Sequence, residues 1–251
     1  MNVATVEHPV RARLGSWPYD PAVAHLVLLD HHMVPDDSDV ANWIRAATLQ
    51  GATSLRTGAL FPESSQAFEQ AGFHAIDTLS LLECNLKSSL PVKLSTSRFT
   101  RQNTSKQRGA TLRRLRLADL GKAAEVDGRA FESPWNNDPD TLTEICRATP
   151  HYRSRAIAED GHMVAFAISG RTSSCGYIQR LAVDPSAQRR GLGHSLVVDS
   201  LEWMLRRNVG QVMVNTATDN HGAISLYRSI GFETRPETLV ILEISIGNRL
   251  P

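Results

Sequence analysis

At 251 residues the chain is long enough for one large core or two small ones, and 41% hydrophobic with 21% charged residues is ordinary for a soluble globular protein. A net charge of +1 exerts no overall pull toward nucleic acid or membrane. The amino terminus lacks a basic block followed by an apolar one, no apolar run is long enough to span a bilayer, and Cys84, Cys146 and Cys175 have neither paired nor metal-like spacing. The expectation is a cytoplasmic protein with reduced thiols and no metal site.

In chain order, Asp39 to Gln50 is helix-like, Thr53-Ser-Leu-Arg-Thr57 reads as a strand, and Ala67-Phe-Glu-Gln-Ala-Gly-Phe73 ends a second helix before the strand-like Asp77-Thr-Leu-Ser-Leu-Leu-Glu83. Residues 87–110, rich in Ser, Thr, Lys and Arg, read as a linker. Between Cys84 and Ala118 there are nine Lys or Arg and no acid, Arg113, Arg114 and Arg116 included. Such a run can attract phosphates or an acidic partner, but without regular interleaving of aromatic rings it reads as a solvated connector, which argues against nucleic acid. The strand-like Tyr177-Ile-Gln-Arg-Leu-Ala-Val183 then enters Gln188-Arg-Arg-Gly191-Leu-Gly193, which opens the helical pattern Ser195 to Arg207. Glycines here let backbone N–H groups close on phosphate oxygens, and the helix dipole adds attraction, so the loop can hold a pyrophosphate. Gln211-Val-Met-Val-Asn-Thr216 is a further strand, and Ala223, Leu226, Tyr227 and Ile230 fall at helical spacing before Gly231.

The chain also repeats itself. Gly51 to Gly72 and Gly210 to Gly231 span like distances, Trp43 answers Trp203, and Asp77–Glu83 answers Glu237–Glu243. The first copy is strand, helix, strand, helix, strand in roughly ninety residues. Phe61 stands at the position of Asn220, Phe68 at that of Tyr227, and the acids of Val34-Pro-Asp-Asp-Ser38 occupy the place of the glycine loop, where they would repel a pyrophosphate.

With Gln188-x-x-Gly191-x-Gly193 followed by Asn220-x-x-Ala223-x-x-Leu226-Tyr227-x-x-x-Gly231-Phe232, the chain resembles the GNAT superfamily of acyl-CoA-dependent N-acetyltransferases from about Thr111 to about Ser245. Phe131-Glu-Ser-Pro-Trp135 resembles the segment before the second helix in the RimI branch. The resemblance implies an α/β (α+β) GNAT fold, a mixed central sheet flanked by helices, preceded by a partial degenerate GNAT-like repeat. Residues 1–86 would form that repeat, 87–110 the linker and 111–251 the catalytic domain. Tandem enzymes of the mycothiol synthase kind share the two-copy plan, although the first copy here is much shorter than a whole unit.

The implied reaction moves an acetyl group from acetyl-CoA to a primary amine of a peptide, protein or small molecule by direct attack on the thioester. The resemblance assigns cofactor binding to Leu181, Ala182, Val183, Gln188, Arg189, Arg190, Gly191, Leu192, Gly193, His194, Ser195, Asn220 and Tyr227. The pantetheine arm would pair along the open edge of Leu181–Val183, with the Val183 backbone near the thioester carbonyl. Asn220 would contact that arm and also suits a helix N-cap. Tyr227, an ordinary phenol with a pKa near ~10, would be the general acid toward the thiolate, or else a core tyrosine. RimI-type enzymes carry a glutamate where this chain has Asn215, an amide that cannot take a proton and can only orient water or the acceptor. Glu132, His162 and His221 are further candidates for the base, each with a plainer structural role. A non-catalytic acyl-CoA-binding scaffold is the alternative, a homodimer stays open, and one acetyl-CoA per chain is expected.

Overall fold

The computed structural model describes residues 10–29, 33–87 and 110–247. They divide into two compact units: those among residues 10–81, 217–219 and 236–247 in the first, those among 82–216 and 220–235 in the second.

In unit 1, β1 (Ala12–Trp17) and β2 (Asp20–Leu28) form an antiparallel hairpin. Helix α1 (Asp37–Leu49) then carries the chain to β3 (Ser54–Thr57), parallel to β2, and α2 (Pro62–Gln70) carries it on to β4 (His74–Asn85). The acids expected to spoil a phosphate loop have a structural task instead. Asp36 accepts from Asp39 N at 2.9 Å while Asp36 N donates to the Asp39 carboxylate at 3.3 Å, a reciprocal capping box that starts α1. Phe68, fully buried, stacks on Trp43 at 5.8 Å and meets Phe73 edge-on at 5.2 Å. The core closes with a strand from the far end of the sequence: β10 (Glu233–Ser245) pairs antiparallel with β3, and its Leu242 packs with Leu26, Leu55 and Phe68.

His25 on β2 gives unit 1 a pH dependence. Burial, with the Arg13 and Arg56 guanidinia adding to it, lowers its pKa from 6.5 to about 4. The unfolded chain therefore binds the proton more readily, so the stability this neutral ring contributes is full above pH 6.5 and is lost as pH falls to about 4. We expect a loss of about 2–3 kcal/mol across that window in urea unfolding of the full chain, and a flatter profile for His25→Gln. An unchanged profile would remove the histidine from this role.

Unit 2 contains β5 (Thr111–Arg114), α3 (Leu120–Ala130), α4 (Pro139–Arg147), β6 (His151–Glu159), β7 (His162–Arg171), β8 (Cys175–Val183), α5 (Leu192–Leu205), β9 (Gln211–Ala217) and α6 (His221–Ile230). Strands β5 to β8 pair antiparallel in sequence order, and β8 pairs parallel with β9. Period-two alternation along β8 sends Ala182 into the cluster with α3 and α4, and Leu181 and Val183 into that with Leu192 and Leu196 of α5. Leu82, Cys84 and Leu86 complete a third cluster with Val212, Val214, Tyr227 and Phe232, and Leu86 N donates to Gly210 O at 2.8 Å.

The internal repeat is visible in the topology. The orders β1-β2-α1-β3-α2-β4 and β7-β8-α5-β9-α6-β10 match, each with an antiparallel hairpin followed by a parallel neighbour. Phe61 and Asn220 are both N-cap residues, and the Phe68–Phe73 pair answers Tyr227–Phe232 at 5.5 Å. The hairpin adds a strand that the sequence pattern does not resolve. The unit boundaries also depart from residues 86 and 111, because the apolar faces are closed by strand ends from the opposite half of the sequence. The linker is outside the described residues except at its two ends.

Candidate active site

Strand β8 meets β9 only through Cys175–Tyr177, opposite Gln211–Met213. Beyond Tyr177 the parallel pairing stops, while pairing with β7 continues to Val183 opposite Ala165. Asp184 N donates to Val164 O at 2.8 Å. By the alternation of an antiparallel ladder, the N–H and C=O of Val183 and Leu181 therefore face away from β7, toward the edge that β9 has left. Val183 O accepts from the Gln188 side-chain amide at 3.2 Å, which folds the loop back on the strand.

The loop then enters α5. Gly191 is its N-cap, with φ +81, and a Cβ built there would meet no atom within 4 Å, so the loop is open on the side the glycine presents. Ser195 N to Gly191 O, 3.1 Å, is an early helical bond, which leaves the N–H groups of Leu192, Gly193 and His194 at the positive end of the helix. Gly193 serves close approach: a Cβ would lie 3.2 Å from Leu226 and 3.6 Å from Val183. These features fit a pyrophosphate on the loop and an amide-bearing arm along the strand edge.

The side chains divide into several roles. Arg189 is exposed, with φ 56, whereas Arg190 forms a bidentate pair with Glu159 at 2.7 and 3.0 Å that offsets its charge. Ser195 is buried and its Oγ donates to Gly191 O at 2.7 Å, so its hydroxyl braces the loop. His194 is exposed, and partial burial lowers its pKa. Asn220 caps α6 through Ala223 N at 3.0 Å. Tyr227 is only 4% exposed, and burial raises its phenol well above the ordinary value, against a smaller opposing effect of Arg180. Asn215 is exposed on β9 and Glu132 is exposed in the turn where Trp135 N donates to its carbonyl at 2.8 Å. His162 opens β7 after the Asp160-Gly161 turn and His221 opens α6.

Sequence reasoning missed the most constrained polar group in the unit. Asp127, on the apolar stripe of α3 with Leu120, Ala123 and Ala124, is fully buried. Arg180 of β8 grips it through two bonds of 2.6 Å, donates to Trp135 O at 2.9 Å and lies 3.6 Å over the Phe131 ring. Asp127 also accepts from Asn137 N at 2.7 Å. One ion pair therefore fixes the segment 131–137 to the strand that ends at Val183. A carboxylate on a helix's apolar stripe and an arginine inside an apolar strand were the available signals.

Among the described residues there is no cluster of metal-ligating side chains, and no helix is long and apolar enough to cross a membrane. Residues 121–232 match the model of the acetyltransferase (GNAT) family. The chain is 30% identical over 122 residues to the ribosomal protein bS18-alanine N-acetyltransferase of Escherichia coli, covering 49% of this chain and 80% of the relative. The chain belongs to the GNAT family of acetyltransferases. It is likewise 33% identical over 129 residues to the N-alpha-acetyltransferase RimI of Mycobacterium tuberculosis, covering 49% of this chain and 78% of that one. A tandem GNAT protein from the clavulanic acid biosynthesis pathway superposes with a TM-score of 0.65 at 16% identity over 94% of this chain and 78% of the other, a likeness of fold. GNAT proteins use acetyl-CoA, and this chain is an acetyl-CoA-dependent N-acetyltransferase acting on an amine acceptor.

Proposed function

We propose that the acceptor is the α-amine of a peptide or protein, and that the transfer takes place in the cytoplasm with one acetyl-CoA per chain. The observation that carries this reading is Asn215, an amide where the RimI branch carries a carboxylate. A site without a strong base there needs an amine that is already partly neutral. An α-amine has a pKa near ~7.7–8.0, whereas a lysine amine near ~10.4 is almost wholly charged at neutral pH. Two relatives, an alanine N-acetyltransferase and an N-alpha-acetyltransferase, support the same class.

In this reading the loop from Gln188 to Ser195 holds the pyrophosphate, with Arg189 its freer cation and Arg190 shared with Glu159. Leu181 and Val183 pair with the pantetheine arm, Ala182 packs behind them, and Asn220 contacts the arm with its amide nitrogen. The α-amine attacks the thioester carbonyl; the C–N bond forms, the C–S bond breaks, and the amine proton leaves to water. Val183 N–H donates to the oxygen on which charge builds. Tyr227, held protonated by burial, gives its proton to the departing thiolate and regains one from solvent before the next turnover. Glu132 and Asn215 orient water and acceptor at the rim. No step draws on a second chain.

Labelled acetyl-CoA with matched peptides tests the reading. A peptide with a free amino-terminal alanine should turn over, and one with a blocked terminus and an internal lysine should be slower by about two orders of magnitude at neutral pH. Equal rates would overturn the α-amine assignment. Tyr227→Phe should lower kcat by about a hundredfold while acetyl-CoA binding by calorimetry stays within about twofold. An unchanged kcat would end its role as the acid.

A further inference from the structure

The basic run singled out in the sequence is used by neither the cofactor loop nor the acceptor segment, and in unit 2 it meets cationic and aromatic groups from elsewhere. Arg114, Tyr152, Arg153, Ser154, Arg155 and Trp203 line a cleft of about 320 Å³, and Arg113, Arg114, Arg116 and Asp119 line a second of about 400 Å³. Arg114 lines both.

The charges do not cancel. Arg153 and Arg155 share the single carboxylate of Asp199, at 2.7 and 3.3 Å, and Arg113 pairs with Asp119 at 2.7 Å. The Arg155 Nε is buried without a hydrogen-bond partner. Arg114 and Arg116 are exposed and have no carboxylate partner among the described residues. Glu202, the nearby acid, pairs with Arg206 at 3.6 Å. Every cation lining the two clefts is an arginine, whose planar fork suits phosphate oxygens better than a lysine does. Rings come from β6 and α5: Tyr152 is 38% exposed, and Trp203 lines the same cleft. Trp203 lies eleven residues along α5 from Leu192, roughly 16 Å of helix from the pyrophosphate loop.

We propose that this surface binds a single-stranded phosphodiester chain, RNA in the first instance. Its phosphates run along Arg116, Arg114 and Arg155, and a base stacks on Tyr152. An acidic peptide would use the guanidinia and leave the ring idle. The site is separate from acetyl transfer, so its failure leaves the acceptor assignment standing.

The test is fluorescence anisotropy of the full chain with a labelled oligouridine of about 12 nucleotides, an oligo-dT of equal length, and polyglutamate as competitor. Binding at about 50 mM salt should weaken steeply by about 200 mM. Arg114→Glu with Arg116→Glu should reduce affinity at least about tenfold and lower the salt slope, and Tyr152→Ala should reduce it about fivefold or more. All three substitutions are on the surface, and acetylation of a free peptide should stay at the wild-type rate. Preference for oligo-dT over oligouridine would keep the site and change its source to DNA. Three results would overturn the proposal: no binding at low salt, displacement by polyglutamate at equal charge concentration, or variants that bind as the wild type does.

Discussion

Asp127→Ala is expected to destabilise the protein by about 3–5 kcal/mol, because it leaves the Arg180 guanidinium largely buried without its carboxylate. The side chain of Arg180 is 16% exposed, too little for water to replace two short bonds. Urea unfolding of the full chain measures the loss. A second variant separates stability from positioning. Asp127→Leu combined with Arg180→Met replaces the pair by apolar groups of similar bulk and should recover much of the stability. It cannot restore the bond to Trp135 O or the cation over Phe131, so the segment 131–137 loses its tie to β8. KM for the peptide should therefore stay raised in the double variant while acetyl-CoA binding is normal. Recovery of both stability and KM would reduce the pair to a core feature.

The other large effect concerns the strand ends. A chain cut to residues 111–251 keeps both sequence motifs but lacks Leu82, Cys84 and Leu86, all buried against Val212, Val214 and Phe232. Each missing leucine removes about 2–3 kcal/mol of burial, a large share of an ordinary domain's net stability. We expect the shortened chain to bind a hydrophobic dye, to lose its cooperative unfolding transition and to fail to retain acetyl-CoA. Leu82→Ala in the full chain is the milder form, at about 2–5 kcal/mol. Cooperative unfolding of the shortened chain with normal cofactor binding would show that residues 82–87 are dispensable.

What could be read from the sequence was local or periodic. The glycine loop follows from the turn and helix start it must make, and the repeat register from matching residues at fixed offset, which places Phe61 with Asn220 and Phe68 with Tyr227. The Asp127–Arg180 pair joins positions 53 residues apart, and nothing in either neighbourhood names the partner. Neither does a strand pattern say which half of the chain it will close: Asp77–Glu83 and Glu237–Glu243 differ in apolar content only at Ser80 against Val240, and either pattern would fit either unit. The aromatic wall beside the arginines was hidden for the same reason, since Tyr152 and Trp203 are remote from Arg113–Arg116 in sequence.

The strand taken from the far end of the sequence sets an order of events during synthesis. Domains ordinarily close as they leave the ribosome, amino-terminal part first. Here the first unit waits for Val240, Leu242 and Ile244, which are made after the whole of the second unit, whereas the strand end that the second unit borrows has emerged long before. The half that is translated first is thus finished after the second, and a nascent chain stalled after Arg235 would hold every residue of the second unit while the core of the first stayed unclosed.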